Sequence, residues 1–213
     1  MSDLAALRRE YARAALDLSD TNPDPFVQFT RWLDEAREVE SREPTGMTLA
    51  TSDATGRPDA RIVLLKGVDA SGFVFYTDRR SAKGRQLAEH PLATLCFWWA
   101  EVERQVRIAG RVEQTSDAES DAYFRTRPRE SQLSAWTSHQ STAVADRATL
   151  DAAWVEIEAR FEDGEVPRPP HWGGYRVVPS EFEFWQGRPG RFHDRIHYVR
   201  EPDGSWRRER LSP

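Results

Sequence analysis

The sequence predicts a mainly β fold, an antiparallel barrel with helices packed around it. Short runs rich in β-branched and aromatic residues recur from residue 47 to the C-terminal end and outnumber the helical segments. Tight turns, rather than regular crossover helices, join most of these runs, which argues against a doubly wound parallel sheet. The chain of 213 residues shows no internal repeat. We therefore expect a single domain over residues 1–213, with an N-terminal helical segment over about residues 1–40.

The N-terminal segment is expected to contain two helices. Leu4, Leu7 and Tyr11 recur at helical spacing and predict a helix over residues 2–18. The sequence Asn-Pro-Asp-Pro then interrupts the pattern. The apolar stripe that follows predicts a second helix near residues 26–39.

Three strand signals come next. Residues 47–51, 61–68 and 73–77 are short runs of β-forming residues, and turns containing Gly56 and Gly72 separate them. Tight turns between successive strands favour antiparallel pairing of neighbours. We therefore predict a three-strand antiparallel meander.

The rest of the chain mixes helices with further strands. Ser116 and Glu119 have the spacing of a capping box, which places a helix start before Tyr123. Residues 163–171, rich in proline, are expected to form a loop. The other predicted helices span residues 81–90 and 146–161, and the other predicted strands span residues 93–99, 105–113, 175–178, 183–185, 196–199 and 206–211.

Composition and charge argue against several classes of protein. The formal net charge of −5 is unlike that of a general nucleic-acid binder. No apolar run approaches the length of a membrane-spanning helix, and the first residues lack the apolar core of a secretory signal. Cys96 has no cysteine partner, so a reducing cytoplasm is the expected location, and its apolar neighbours predict a small buried side chain.

Several familiar site motifs are absent from the sequence. There is no G-x-G-x-x-G turn, no G-x-x-x-x-G-K-[ST] loop, no G-x-S-x-G elbow and no paired C-x-x-C. His193 and His197 form the only pattern that resembles metal ligands. On a strand they would lie about 13 Å apart, too far to hold one ion directly, so no metal site is expected.

Cations and hydroxyls in two segments suit an anionic ligand. Arg61 and Lys66 end an apolar run, and strand alternation points them to opposite faces. Either both are solvated strand ends or one extended ligand reaches both. Lys83 opens a helix just after Tyr76 and Thr77, where hydroxyls and free backbone N–H groups suit a phosphate.

A second anion site is a candidate around Pro128. Tyr123, Arg127, Arg129 and Ser131 surround this proline near a predicted helix end. Arginine binds phosphate through a two-pronged donor pattern, so these residues suit a second phosphate. The alternative is a charged, exposed loop.

The chain resembles the pyridoxamine 5′-phosphate oxidase family from about residue 7 to residue 213. The segments that carry the resemblance occur in the family's order and with its spacing. They are LRREY, RIVLLK, FYT, SAKGRQL, ERQVRIAGRVE, YFRTRPRESQLSAWTSHQS, WGGYRVVP, EFWQG, RFHDR and RLSP. The resemblance implies an FMN-binding split β-barrel and a homodimer whose composite active sites hold FMN at the subunit interface.

The resemblance also implies an activity and a set of site residues. Pyridoxamine or pyridoxine 5′-phosphate would be oxidised by O₂ to pyridoxal 5′-phosphate, releasing hydrogen peroxide, and ammonia from the amine. The implied FMN contacts are Arg61, Lys66, Tyr76, Thr77, Lys83, Gln105, Gln140, Ser141, Trp185 and Arg195. The implied substrate contacts are Arg8, Tyr11, Lys66, Tyr123, Arg127, Ser131, Arg191 and His193, of which Arg191 and His193 are the implied catalytic residues.

Two positions depart from the family pattern. Ala82 stands where relatives usually have an arginine beside the phosphate lysine. Either Arg79, Arg80 or Arg85 compensates, or FMN binds more weakly. Phe192 stands within the segment that reads R-L-H in the family, and its larger ring is expected to reshape the pocket wall.

Two other functions remain open from the sequence. One is a related split-barrel flavin oxidase that acts on another aromatic substrate, such as a phenazine precursor. The other is a non-catalytic flavin-binding protein. The complete RPRESQ segment, together with Arg191 and His193, favours a vitamin B6 phosphate over the first. Because the substrate-binding residues are retained, the second is disfavoured.

Overall fold

The computed structural model describes residues 10–39 and 42–213. These residues contain five α-helices and nine β-strands. The helices are α1 (Pro25–Val39), α2 (Ala82–Glu89), α3 (Asp117–Thr126), α4 (Arg129–Thr137) and α5 (Arg147–Arg160). The strands are β1 (Gly46–Ser52), β2 (Pro58–Leu64), β3 (Gly67–Asp69), β4 (Gly72–Asp78), β5 (Leu92–Trp99), β6 (Arg104–Gln114), β7 (Trp172–Gln186), β8 (Asp194–Arg200) and β9 (Trp206–Leu211).

The strands form one antiparallel sheet in the order β2-β1-β5-β6-β7-β4-β3, and β8 pairs with β7 and β9. Strands β2 and β3 are consecutive along the chain but lie at opposite ends of this order. Two residues, Leu65 and Lys66, join them, so the two ends of the sheet must come together. The sheet therefore curls into a barrel, which confirms the predicted fold class.

Alternating side chains fill the barrel. Strand β1 alternates buried and half-buried residues, as expected when one face of a strand packs on a core. Helix α1 packs its apolar face against this core. The ring of Phe29 lies 4.8 Å from that of Phe73, at an interplanar angle of 89°, and 5.0 Å from that of Phe97, at an interplanar angle of 61°. No helix among the described residues is long and apolar enough to cross a membrane.

The prediction of a helix over residues 2–18 is wrong where the structure describes it. Residues 10–17 form neither helix nor strand, and only a short 3₁₀ turn, Leu18–Asp20, follows. The backbone N–H groups of Ala12 and Arg13 both donate to Glu103 Oε2, each at 3.0 Å. Barrel side chains thus replace the hydrogen bonds that a helix would supply, and they override the local periodicity.

The predicted meander is also wrong. The expected strand over residues 61–68 is two strands, β2 and β3, and β2 pairs with β1 while β4 pairs with β3 and β7. Periodicity does not reveal where a strand passes from one edge of a barrel to the other, because both halves are equally apolar. The predicted strands over 175–178 and 183–185 are one strand, β7, which bulges at Ser180 opposite Ala109 and Gly110 of β6.

The remaining element predictions are confirmed to within two residues at each end. They include the capping box, in which Ser116 Oγ accepts from the backbone N–H of Glu119 at 3.1 Å and the Glu119 carboxylate accepts from the backbone N–H of Ser116. The loop over residues 163–171 is confirmed as well. These elements can be predicted from the sequence because capping and periodicity depend on residues only a few positions apart.

Candidate functional site

A cavity of about 550 Å³ lies between the β2 and β4 side of the barrel and helices α3 and α4. Eight residues implied by the family resemblance line it. Four are implied for FMN alone, three for the substrate alone, and Lys66 for both. We call these eight residues the cavity set; they are Lys66, Tyr76, Thr77, Lys83, Tyr123, Arg127, Ser131 and Gln140. The cavity therefore brings together residues implied for FMN and residues implied for the substrate.

Lys83 lies at one side of the cavity, in the first turn of α2. The side chain of Ser81 caps this helix by accepting from the backbone N–H of Gly84. Lys83 Nζ donates to Gln140 Oε1 at 2.7 Å and to Thr77 Oγ1 at 3.3 Å, and both acceptors are neutral. Burial, and then the nearby Arg61 guanidinium, lower the pKa of Lys83. A bound anion would offset both effects.

Three aromatic rings, those of Tyr76, Tyr123 and Trp172, also line the cavity. The Tyr76 ring lies 4.1 Å from the Tyr123 ring and 5.3 Å from the Trp172 ring, and all three are nearly parallel. The guanidinium carbon of Arg127 lies 4.6 Å from the Trp172 ring centroid. This cation–π contact holds the guanidinium at the cavity wall.

Arg127 is half-buried and has one guanidinium nitrogen without a hydrogen-bond partner in the described part of the chain. Its Nη1 atom is buried and has no hydrogen-bond partner among the described residues. Burial lowers the pKa of Arg127, although arginine stays charged in proteins. An unsatisfied donor of this kind is rare because its desolvation is costly. This nitrogen can therefore donate to a further acceptor at the cavity wall.

Arg61 lies beside the cavity and does not line it. Its Nη1 donates to the carbonyl of Leu49 at 3.1 Å and to Thr51 Oγ1 at 2.6 Å, and its Nη2 forms an ion pair with Asp59. Lys66 does line the cavity, just after the end of β2. Arg61 is therefore held by protein partners, whereas Lys66 is exposed in the link between β2 and β3, so one regular strand does not carry both cations.

A second group of implied residues lies elsewhere, on the outer face of the sheet. Gln105 of β6 is directly opposite Trp185 of β7, and Trp185 is directly opposite Arg195 of β8. Side chains at directly opposite positions share one face of a sheet. The rings of Tyr11 and His193 lie 5.7 and 4.6 Å from the Trp185 ring. We call Tyr11, Gln105, Trp185, His193 and Arg195 the sheet-face set; none of them lines the cavity.

A hydrogen bond to His193 determines which ring nitrogen carries the proton in the neutral form. The backbone N–H of Arg188 donates to His193 Nδ1 at 3.2 Å, so in the neutral ring the proton is on Nε2. Burial, and then the positive charge of Arg191, lower the pKa of His193. The ring is therefore neutral at pH 7 and presents Nε2–H as a donor.

Arg195 is held by a carboxylate and by the C-terminal end of the chain. Its Nε and Nη2 donate to the two oxygens of Glu183 at 3.0 and 2.9 Å, and its Nη1 donates to the carbonyl of Ser212 at 2.9 Å. The hydrogen bond to Glu183 raises the pKa of Arg195. The guanidinium is thus oriented before any ligand arrives.

The other implied residues do not join either set. Ser141 has a left-handed backbone with φ of 68° and is exposed next to Gln140. Arg191 is exposed in a turn with φ of 62°, and its side chain has no hydrogen bond or ion pair with the described residues. Arg8 lies outside the described residues.

The three arginines that could compensate for Ala82 are engaged elsewhere. Arg80 forms a two-pronged pair with Asp78, and Arg85 Nη1 donates to the backbone carbonyl of Arg80. The guanidinium of Arg79 packs over Gly173, where any Cβ would lie 2.4 Å from Arg79 Nη2. None of the three lines the cavity, and Arg79 Nε is buried without a hydrogen-bond partner among the described residues.

Sequence reasoning missed three residues that organise the site. Trp172 supports Arg127, Glu103 holds the backbone next to Tyr11, and Glu183 holds Arg195. Glu103 itself has a left-handed backbone with φ of 56°, which is uncommon for glutamate. Each acts through a contact between residues distant in sequence. The family-like segments that contain them were the only available signal.

Comparisons with known proteins identify the family of the chain. A family model described as pyridoxamine 5′-phosphate oxidase matches residues 33–161, and one described as the pyridoxine 5′-phosphate oxidase C-terminal dimerisation region matches residues 172–213. The pyridoxine/pyridoxamine 5′-phosphate oxidase of Burkholderia thailandensis is 56% identical over 215 residues, covering all of both chains.

Solved structures show the same fold. PhzG from Burkholderia lata 383, solved in complex with tetrahydrophenazine-1-carboxylic acid, is 32% identical with a TM-score of 0.88, over 95% of this chain and 100% of that one. A pyridoxamine 5′-phosphate oxidase-related, FMN-binding protein from Nostoc punctiforme PCC 73102 is 19% identical with a TM-score of 0.71, over 91% of this chain and 100% of that one. This second likeness shows the split-barrel fold alone. By sequence and by fold, the chain belongs to the pyridoxamine 5′-phosphate oxidase family.

Proposed function

We propose that this protein is an oxidoreductase that uses FMN and O₂ to convert pyridoxamine or pyridoxine 5′-phosphate to pyridoxal 5′-phosphate. Hydrogen peroxide is the second product, and the amine substrate also releases ammonia. Family membership supports FMN as the cofactor. The observation that carries the substrate assignment is the buried, unpartnered Nη1 of Arg127 in a cavity whose lining is rich in donors.

The cavity fits two phosphorylated molecules better than one. Lys66, Lys83 and Arg127 line it, and none forms an ion pair with a carboxylate of the described residues. Lys83 and Arg127 have different surroundings, the first Thr77 and Gln140 and the second the rings of Trp172 and Phe124. In this proposal FMN binds through its phosphate near Lys83, and the substrate phosphate binds near Arg127, Tyr123 and Ser131. Lys66 contacts both ligands.

A homodimer completes the site in this proposal. The chain carries the family's dimerisation region over residues 172–213, which contains Trp185, His193 and Arg195. Within one chain, these residues lie outside the cavity that holds Lys83 and Arg127. Two copies of the chain would bring the sheet-face set of one to the cavity set of the other. FMN would then lie at the subunit interface.

The chain's own residues bind and orient the substrate. Arg127, Tyr123 and Ser131 hold its phosphate, which fixes the ring relative to the cofactor, and such positioning supplies several kcal/mol of rate enhancement. FMN, when bound, supplies the hydride acceptor. Arg191 and His193 hold the reacting end. In its neutral tautomer His193 donates from Nε2 to the amine or hydroxyl, so it orients this group more readily than it removes a proton.

A second candidate is oxidation of a phenazine precursor. The likeness to PhzG, solved with tetrahydrophenazine-1-carboxylic acid, favours it. That ligand carries no phosphate, whereas Arg127 of this chain has an unsatisfied buried donor that suits one. We therefore rank the vitamin B6 phosphate first.

Peroxide release from three substrates separates the candidates. Pyridoxine 5′-phosphate, unphosphorylated pyridoxine and a dihydrophenazine carboxylate are each given to the purified flavoprotein in air. The proposal expects rapid peroxide release and pyridoxal 5′-phosphate from the first substrate alone, and bleaching of the flavin spectrum when that substrate is added without oxygen. Turnover of the phenazine compound alone would establish the second candidate. A colourless protein that takes up no FMN would refute both.

A further inference from the structure

Glu183 is a buried carboxylate on the outer face of the sheet, and the function proposed above does not use it. Its side chain is 9% exposed. It lies two residues before Trp185 in β7, so the two side chains point to the same face. A carboxylate is buried only where its partners offset the loss of hydration. The identity of those partners therefore indicates what Glu183 does.

The principal partner of Glu183 is Arg195. Both carboxylate oxygens accept from this guanidinium, at 3.0 Å from Nε and 2.9 Å from Nη2. Such a two-pronged pair fixes the plane of the guanidinium as well as its position. The carbonyl of Ser212 takes a third N–H, at 2.9 Å from Nη1. Because arginine carries five N–H donors, two remain for a ligand.

A second arginine shares the same carboxylate but is held less firmly. Arg107 Nη1 donates to Glu183 Oε2 at 3.2 Å, through a single hydrogen bond, and half of the Arg107 side chain is exposed. Only Arg195 is bound by both oxygens and lies directly opposite Trp185. Glu183 is therefore placed to orient Arg195 above all.

We infer that Glu183 is a positioning residue for Arg195, which it holds with two N–H groups directed to FMN. This inference rests on the proposed function, in which Arg195 is an FMN contact. Without the carboxylate, the long arginine side chain must be ordered when FMN binds, and that ordering weakens binding. Glu183 itself need not touch the cofactor.

FMN titration of the flavin-free protein tests this inference. We expect Glu183→Gln to raise the FMN Kd about tenfold, since the amide keeps the size of the side chain but cannot accept from Nε and Nη2 together. Glu181→Gln is the matched control. Glu181 lies two residues earlier on the same face, is about half exposed and contacts His197 at 3.5 Å. Its substitution should leave the Kd unchanged.

A double-variant cycle separates positioning from a general loss of structure. Arg195→Gln and the double variant Glu183→Gln/Arg195→Gln should have the same Kd within about twofold, because Glu183 acts through Arg195. The visible spectrum of bound flavin in Glu183→Gln should also match that of Arg195→Gln. Equal weakening by Glu183→Gln with and without Arg195 would overturn the inference, and so would an unchanged Kd in either single variant.

A second carboxylate variant guards against misfolding. Thermal unfolding of each flavin-free variant is recorded, and if Glu183→Gln does not fold, Glu183→Asp replaces it in the cycle. The shorter aspartate keeps the charge but cannot reach both nitrogens, so a smaller rise in Kd, again absent in the Arg195→Gln background, is expected. Failure of the inference would leave wild-type peroxide release intact. Failure of the proposed function would abolish that release in the wild type.

Discussion

In the described part of the chain, the cations of the cavity set are unpaired, whereas the arginine of the sheet-face set is paired with a carboxylate. In the cavity, Lys66, Lys83 and Arg127 form no ion pair with a described carboxylate, and Arg127 leaves a buried donor unsatisfied. On the sheet face, Arg195 is bound by both oxygens of Glu183. His193 likewise has its Nδ1 occupied by a backbone N–H.

This difference suggests that the cavity cations bind the anionic ligands, whereas the paired groups of the sheet face orient the reacting groups. Unpaired, partly desolvated cations raise the free energy of the empty site, and an anionic ligand recovers that cost. Paired groups have little charge left to offer but are held in one geometry, which suits the contacts that align a reacting centre. Loss of a cavity cation should therefore weaken binding, whereas loss of His193 should chiefly slow turnover.

The largest effect is expected from removal of Arg191 and His193, the two residues proposed to hold the reacting end of the substrate. Arg191→Ala combined with His193→Ala should lower kcat/KM about 10³-fold, within the range typical of acid–base and orienting groups. The protein should stay folded and yellow, because Arg191 has no hydrogen bond or ion pair with the described residues. Peroxide release and the flavin spectrum measure the two properties. Wild-type turnover in this variant would remove both residues from the mechanism.

The next effect is expected at Arg127. Arg127→Ala should raise the KM for pyridoxine 5′-phosphate about 100-fold, since charge-assisted hydrogen bonds contribute about 1.5–3 kcal/mol each. Its free energy of unfolding should not fall, because an unpartnered buried donor is removed. Steady-state kinetics and chemical denaturation test these two points.

Arg129→Ala is the matched control for that variant. Arg129 donates to the carbonyls of Gly164 and Phe161 and does not line the cavity. Its KM should equal that of the wild type. A similar rise in KM in both variants would mean that Arg127 acts through the fold and not through the phosphate.

A smaller effect is expected where the N-terminal segment meets the sheet face. Glu103→Ala removes the acceptor for the backbone N–H groups of Ala12 and Arg13, which place Tyr11 against Trp185. We expect KM to rise about tenfold with little change in kcat. Tyr11→Ala should have the same effect, and the double variant should be no worse than either. Additive effects would show that Glu103 acts independently of Tyr11.

The smallest effect is expected in the pH dependence. Burial and Arg191 lower the pKa of His193, so its neutral form persists below the ordinary histidine value of 6.5. If neutral His193 is required, kcat/KM should fall only as pH drops through a value below 6.5. Arg191→Ala should move this acid limb upward, toward 6.5, because one of the two causes is removed. An acid limb that stays in place in this variant would assign it to another group.

Local sequence signals determined much of the architecture. The positions of α1 and α5, the strands β5 and β6 and the capping box at Ser116 could all be read before the structure, because each depends on residues close together in the sequence. The family-like segments likewise pointed to all eight residues of the cavity set. How those residues are arranged could not be read in this way.

Tertiary structure decided the rest, because the deciding contacts join residues far apart in the chain. Residues 10–17 form no helix because Glu103 and Asp194 accept three of their backbone N–H groups, across about 90 and 178 positions of sequence. The barrel splits the apolar run 61–68 between its two ends. The sequence by itself specified which cations are present; only the fold determined that Arg195 is paired with a carboxylate and that Arg127 is left for a ligand.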